Sequence, residues 1–151
     1  MIVAGTGHRE IALPKGLLVN AIARKLHLLG AKGVISGMAL GWDMALAEAA
    51  LILELPLTAA VPFPAQPDLW PDDEKQRYER ILARATSTVT LSEYTALSAY
   101  ERRNRWMIDN ADLVLAYWDG SLNGGTANAV RYAGRPKSQK PLVNMHGEIA
   151  L

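Results

Sequence analysis

Apolar residues fall into two kinds of run along this chain. Short aliphatic runs alternate with longer stretches in which apolar residues recur at three- and four-residue spacing. The first kind reads as buried strands, the second as amphipathic helices. Met1–Ala4 is the first strand. Leu17, Leu18, Ala21, Ile22, Leu26 and Leu29 then form one helical face, with Lys15, Asn20, Arg24 and Lys25 opposite. Pro14 suits the first turn of that helix and Gly30 its end. Gly33–Ser36 is the second strand, and the Ala/Leu-rich segment from Trp42 to Glu54 a helix buried on most sides. Leu57–Val61 is the third strand. The proline-rich segment 62–71 fits neither strand nor helix and is expected to cover the strand ends as a wall or lid.

Asp72-Asp73-Glu74 places negative charge at the start of the next helix, where the helix dipole favours it. Thr86–Leu91 is strand four, and a helix follows from Leu97 to Asn110. Asp112–Trp118 is strand five, Thr126–Ala133 a helix and Pro141–Met145 the last strand. Alternation of this kind over residues 1–151 predicts one α/β domain, a three-layer sandwich with a mostly parallel sheet between helices. The expected strand order is 3-2-1-4-5-6. It places the chain reversal beside strand one, and ligands in such sheets sit at strand carboxyl ends near that point.

Three glycine-bearing segments would open there: Gly5-Thr6-Gly7-His8-Arg9, Ser36-Gly37-Met38-Ala39-Leu40-Gly41-Trp42-Asp43, and Asn123-Gly124-Gly125-Thr126. Glycine permits positive φ and close backbone approach, and a helix start offers free N–H groups to an anion. Neither a GxGxxG nor a P-loop fingerprint is present. In this reading the amides of Gly37–Gly41 hold phosphate while Asp43 accepts ribose hydroxyls. Thr6 and Arg9 contact phosphate or ribose. Asp43 also has a purely structural reading, as a carboxylate in the first turn of its helix. His8 reads as an acid or base, or more simply as a hydrogen-bonded structural group. Tyr100, Arg103, Asn104 and Met107 share one helical face. Thr126 serves as helix cap, phosphate contact or both, and Trp118 is placed to stack on a base.

Composition narrows the chemistry. Sixteen basic against fifteen acidic side chains leave a formal charge of +1, so nucleic acid is not an expected partner. There is no cysteine, and His8, His27 and His146 lack ligand spacing, so neither a metal nor a separate cofactor is expected. No apolar run has transmembrane length and no basic leader precedes the first strand, which predicts a cytoplasmic protein without a membrane partner. The Ala/Leu helix carries more apolar surface than one sheet face needs, so a homo-oligomer, in the simplest case a dimer, is expected.

Thr6-Gly7-His8-Arg9, Ser36 to Asp43, Arg103-Asn104 with Met107, Ala111-Asp112 and Gly124-Gly125-Thr126-Ala127 resemble the SLOG superfamily, and within it the small YpsA-like proteins of bacteria and phages. The resemblance runs from strand one to the last helix. It implies a Rossmann-like domain that binds or processes nucleotide-derived ligands, often as a dimer. Lonely Guy phosphoribohydrolases of the superfamily pair an Arg-Lys-x-x-Met segment with Pro-Gly-Gly-x-Gly-Thr-x-x-Glu. Arg103, Met107 and Gly125-Thr126 match that signature. Asn104 replaces its lysine, and Ala129 stands at its catalytic glutamate. Three function classes follow. The leading one is binding of a nucleotide for sensing or sequestration. The second is nucleotide hydrolysis, with Asp43, Arg103, His8 and Asp119 as catalytic candidates. The third is single-stranded nucleic-acid binding, since DNA-processing protein A also carries such a domain.

Overall fold

The computed structural model describes residues 1–149. Six strands form one sheet: β1 (Ile2–Gly7), β2 (Gly33–Ser36), β3 (Leu57–Val61), β4 (Ser87–Thr90), β5 (Leu113–Tyr117) and β6 (Leu142–Asn144). Every pairing is parallel, in the order β4-β3-β2-β1-β5-β6. The helices are α1 (Lys15–Leu29), α2 (Trp42–Ile52), α3 (Asp72–Arg84), α4 (Leu97–Asp109) and α5 (Gly125–Ala133).

The order is close to the expected 3-2-1-4-5-6, with one strand moved. β4 lies outside β3 at the sheet edge instead of between β1 and β5. Its residues account for this: Ser87, Thr88 and Thr90 are exposed, and the Ser87 and Thr58 hydroxyls lie 3.2 Å apart across the pair. A strand polar on both faces belongs at an edge, because an interior parallel strand is buried on both. The chain therefore winds outward from β1 to β4 and then returns across the sheet to β5.

Right-handed crossovers require the helices to change faces at that return. α1, α2 and α3 share one face with Val3, Val34, Leu57, Ala59 and Leu115. The other face carries Ala4, Ile35, Ala60 and Val114 against Met107 and Ile108 of α4 and Ala129 and Ala133 of α5. α1 ends on Gly30 with φ 70°, and the Gly30 N–H bonds back to the His27 carbonyl.

α2 is enclosed within a single chain. Trp42, Met44, Leu46, Ala47, Ala49 and Ala50 have no exposure, and α1 and α3 cover its flanks. The apolar surface that suggested an oligomer is thus consumed inside one protomer, and that argument for self-association falls away. No helix among the described residues is long and apolar enough to cross a membrane.

Candidate functional site

A cavity of about 640 Å³ opens at the carboxyl end of β1, between the chain after β1, the start of α2, α4 and the start of α5. Its size lies within the roughly 300–1,000 Å³ of small-molecule sites. Gly5, Thr6, Gly7, His8, Arg9, Ala39, Asp43, Arg103, Asn104, Gly124, Gly125 and Thr126 line it together with Leu97, Tyr100 and Asn128. Residues from all three glycine-bearing segments therefore meet. Ser36, Gly37, Met38, Gly41, Trp118 and Asp119 are not part of the lining. The three segments also differ in what they present.

Gly5-Thr6-Gly7 is strand, not turn. β1 runs on to Gly7, pairing Gly5 with Leu115, Thr6 with Ala116 and Gly7 with Tyr117. The glycines are explained by α2. A Cβ on Gly7 would overlap the Trp42 ring and its Cβ, and one on Gly5 would overlap a Leu46 methyl. Trp42 is fully buried, donates Nε1–H to the Leu115 carbonyl at 3.1 Å and stacks on Tyr117 at 5.4 Å. These two glycines seat a helix against the sheet. The expected close approach of a ligand is not what requires them.

The central segment is largely occupied by its own side chains. The Ser36 hydroxyl donates to the Asp43 carbonyl at 2.6 Å and accepts from Met38 N–H at 3.2 Å, with Ser36 fully buried. Asp43 Oδ2 accepts the Ala39 N–H at 3.3 Å, and the Trp42 N–H goes to the His8 carbonyl. Of the Gly37–Gly41 amides expected to hold phosphate, those of Met38 and Ala39 are thus already satisfied. Gly41, at φ 75°, is required because a side chain there would strike the His8 and Arg9 carbonyls.

What this segment builds is a pair of buried opposite charges. Asp43 and Arg103 are 7% and 5% exposed. Arg103 Nη1 donates to the Gly37 carbonyl at 2.5 Å and Nε to Asn104 Oδ1 at 2.8 Å. The two heads flank the Gly37 Cα without forming a direct ion pair among the described residues. Burial pushes the Asp43 carboxyl up from its ordinary 3.8, outweighing the downward pull of Arg103. Burial likewise lowers Arg103, against the stabilising effect of Asp43. In each group the effect of burial exceeds that of the opposite charge.

The third segment is open. Gly124 has φ 102°, Gly124 and Gly125 are exposed, and a Cβ on either would meet nothing within 4 Å. The first backbone bond of α5 is Asn128 N–H to the Gly124 carbonyl at 3.0 Å. The N–H groups of Gly125, Thr126 and Ala127 have no protein acceptor among the described residues. Gly125 and Thr126 line the cavity together with Arg9 and Arg103, whose guanidinium carbons lie 5.5 and 5.8 Å from the Tyr100 ring centre.

His8 Nε2 lies 3.1 Å from both the Asp119 N–H, whose bond it accepts, and Asp119 Oδ1. This ties β1's loop to β5's and matches the structural reading of His8. The Asp119 carboxyl, held below its ordinary range first by the Ser121 N–H, lies outside the lining. Trp118 turns its Nε1–H to the Ser121 carbonyl at 2.9 Å. Met107 packs in the core with Ala4 and Ala60, on the buried side of α4.

Sequence reasoning missed Leu97 and Asn128 in the lining, and Gln66 behind it. Gln66, 6% exposed, donates to the Gly37 carbonyl at 3.0 Å and accepts from Tyr78 Oη at 3.2 Å. The proline-rich segment therefore buttresses the Gly37 turn from behind and is not a lid. The one legible signal was a lone glutamine among prolines. Asn128, three residues after Gly125, sits on the helix face that Gly125 opens.

The family model described as the YspA SLOG family (YpsA) matches residues 3–146. The chain is 29% identical to the SPbeta prophage-derived protein YoqJ of Bacillus subtilis (strain 168), over 74% of this chain and 75% of YoqJ. It is 27% identical to a UPF0398 protein of Bacillus cereus (strain G9842), over 99% of this chain and 90% of that one. Among solved structures, DNA processing protein A from Helicobacter pylori, described for its single-stranded DNA binding mode, superposes with a TM-score of 0.69 at 26% identity. That match covers 94% of this chain and 63% of the other, so this chain spans under two thirds of it. A Moco carrier protein from Chlamydomonas shares the fold at a TM-score of 0.56 and 16% identity. With nearly its whole length matched, the chain belongs to the YpsA SLOG family.

Proposed function

We propose that this chain binds a nucleotide or nucleotide-derived ligand in the cavity beside β1, to sense or sequester it. The observation that carries the reading is the meeting of the unpaired Gly125 and Thr126 amides at the start of α5 with Arg9 and Arg103 in one cavity of nucleotide size. The phosphate lies at Gly124, Gly125 and Thr126, where N–H groups and the helix dipole favour negative charge. Arg9 and Arg103 add charge-assisted bonds, while Thr6, Asp43 and Asn104 meet the ribose hydroxyls. Ala129, at the glutamate position of the phosphoribohydrolase signature, is a buried methyl group without acid–base chemistry. That speaks for binding over cleavage.

A second reading is single-stranded nucleic acid entering by its end. The likeness to the Helicobacter pylori protein favours it, and makes the near-neutral charge a weaker argument against such a partner than the sequence suggested. Titration calorimetry with AMP, ADP and a single-stranded oligonucleotide tests both, with chromatography of the mixtures for products. Saturable AMP binding with no adenine or adenosine released supports the proposal. Oligonucleotide binding with steep salt dependence and no mononucleotide binding favours the second reading. Released base establishes hydrolysis, and Asp43 is then the first residue to test. Absence of binding by all three overturns the proposal.

A further inference from the structure

A second cavity, about 330 Å³, runs between α4 and α5 and shares Tyr100, Asn104 and Gly125 with the first. Its far end is cationic. Arg105 and Arg135 stand over the Tyr132 ring, with guanidinium carbons 5.1 and 5.7 Å from its centre, while the Arg131 guanidinium donates to the Leu122 carbonyl at 2.7 Å and to Asn128 Oδ1. The same combination, a tyrosine ring approached by two arginines, occurs in the first cavity with Arg9, Tyr100 and Arg103. The surrounding carboxylates neutralise this end only in part. Glu101 holds Arg105 at 2.6 Å, and Asp109 accepts the Tyr132 hydroxyl at 2.7 Å. Neither forms an ion pair with Arg131 or Arg135 among the described residues. From Gly125 to Tyr132 the α5 axis advances about 10 Å, too far for one phosphate to touch both ends.

We propose that the α4–α5 groove is a second anion subsite, and that the ligand carries two phosphate groups separated by one nucleoside. This rests on the nucleotide-binding reading: the first phosphate is held at the start of α5 and the second by Arg105 and Arg135. Tyr132, with its hydroxyl tied to Asp109, is a fixed ring beside two guanidinium groups. It can carry the intervening ribose or base edge. A free dinucleotide and the end of a single strand present the same chemistry.

The test is titration of wild type and of an Arg105→Gln/Arg135→Gln variant with AMP, the 5′-phosphorylated dinucleotide pApA and a longer oligoadenylate. pApA should bind wild type about tenfold or more tighter than AMP, the scale of one added charge-assisted contact. The double variant should lose that advantage and keep its AMP affinity. Equal affinities of AMP and pApA for wild type, or equal weakening of both in the variant, overturns the second subsite and leaves the nucleotide reading standing. No binding of any probe overturns both. An oligoadenylate that exceeds pApA and gains salt dependence identifies a strand end as the source, and one that only equals pApA identifies the free dinucleotide. Should the double variant fail to fold, Arg135→Glu alone, on an exposed side chain, carries the same test.

Discussion

Asp43 and Arg103 face one another across the Gly37 Cα: a methyl group built there would sit 2.8 Å from Asp43 Oδ2 and 2.7 Å from Arg103 Nη1. Glycine leaves room for both heads, and the Gly37 carbonyl anchors the guanidinium. The pair stands on the cavity wall, one member on α2 and the other on α4. Buried and incompletely compensated charges are costly to folding, which suits a site that a ligand completes.

Asp43 sets a pH dependence whose sign follows from its raised pKa. The unfolded chain releases this proton near 3.8, and the folded chain only at higher pH. The folded state therefore binds more protons between those two values, and stability falls as pH rises through that window. Asp43→Asn retains an acceptor for the Ala39 N–H and abolishes the titration. Urea unfolding across acidic to neutral pH should show a flatter profile for the variant, while loss of the attraction to the buried Arg103 lowers its stability at pH 7. A variant that keeps the wild-type slope through that window contradicts the burial argument.

Arg103→Gln tests the other member of the pair. Loss of one charge-assisted contact to phosphate costs about 1.5–3 kcal/mol, which weakens AMP binding by roughly ten- to a hundredfold. Unchanged calorimetric affinity would remove Arg103 from the ligand.

The glycines divide into two classes with opposite behaviour. Gly7→Ala should destabilise by about 1–3 kcal/mol through overpacking against Trp42, and Trp42→Leu should relieve part of that cost in the double variant. Gly5→Ala, facing the end of the Leu46 side chain, should cost less. Gly125→Ala meets open space and should leave thermal unfolding unchanged. Equal losses at Gly7 and Gly125 would contradict the assignment.

Gln66 supports the Gly37 turn through its amide. Gln66→Leu leaves the Tyr78 hydroxyl, buried and raised to about 12, without its partner. The expected loss is about 1–3 kcal/mol in chemical denaturation. Adding Tyr78→Phe should recover a good part of it, because removing both partners leaves no orphaned group. No recovery would mean the bond to the Gly37 carbonyl carries the effect.

Much of the fold was legible because hydrophobic period tracks local structure. All six strands and five helices occur in the expected sequence order, with α2 starting at Trp42 and α4 at Leu97 as expected, while β1 runs on past Ala4 to Gly7. The place of β4 was readable in principle, since Ser-Thr-Val-Thr has no wholly apolar face to bury, unlike Leu-Thr-Ala-Ala-Val beside it. The candidate site was legible as a set of residues but less so as a mechanism. A glycine that clears space for Trp42 and one that frees an amide for a ligand look identical in a sequence, and only the packing partner separates Gly7 from Gly125. Gln66 was hidden for a related reason: its partner, the Gly37 carbonyl, is a backbone atom that carries no sequence signal.

In the proposed site the exposed start of α5 grips the phosphate of a nucleotide together with Arg9 and Arg103. Backbone amide NMR of the 15N-labelled chain during AMP titration reads this residue by residue. Saturable shifts are expected, largest at Gly124, Gly125, Thr126 and His8–Arg9, with those of the buried Met38 and Ala39 amides smaller. Saturable shifts confined to another face of the sheet, or none at all, would contradict it.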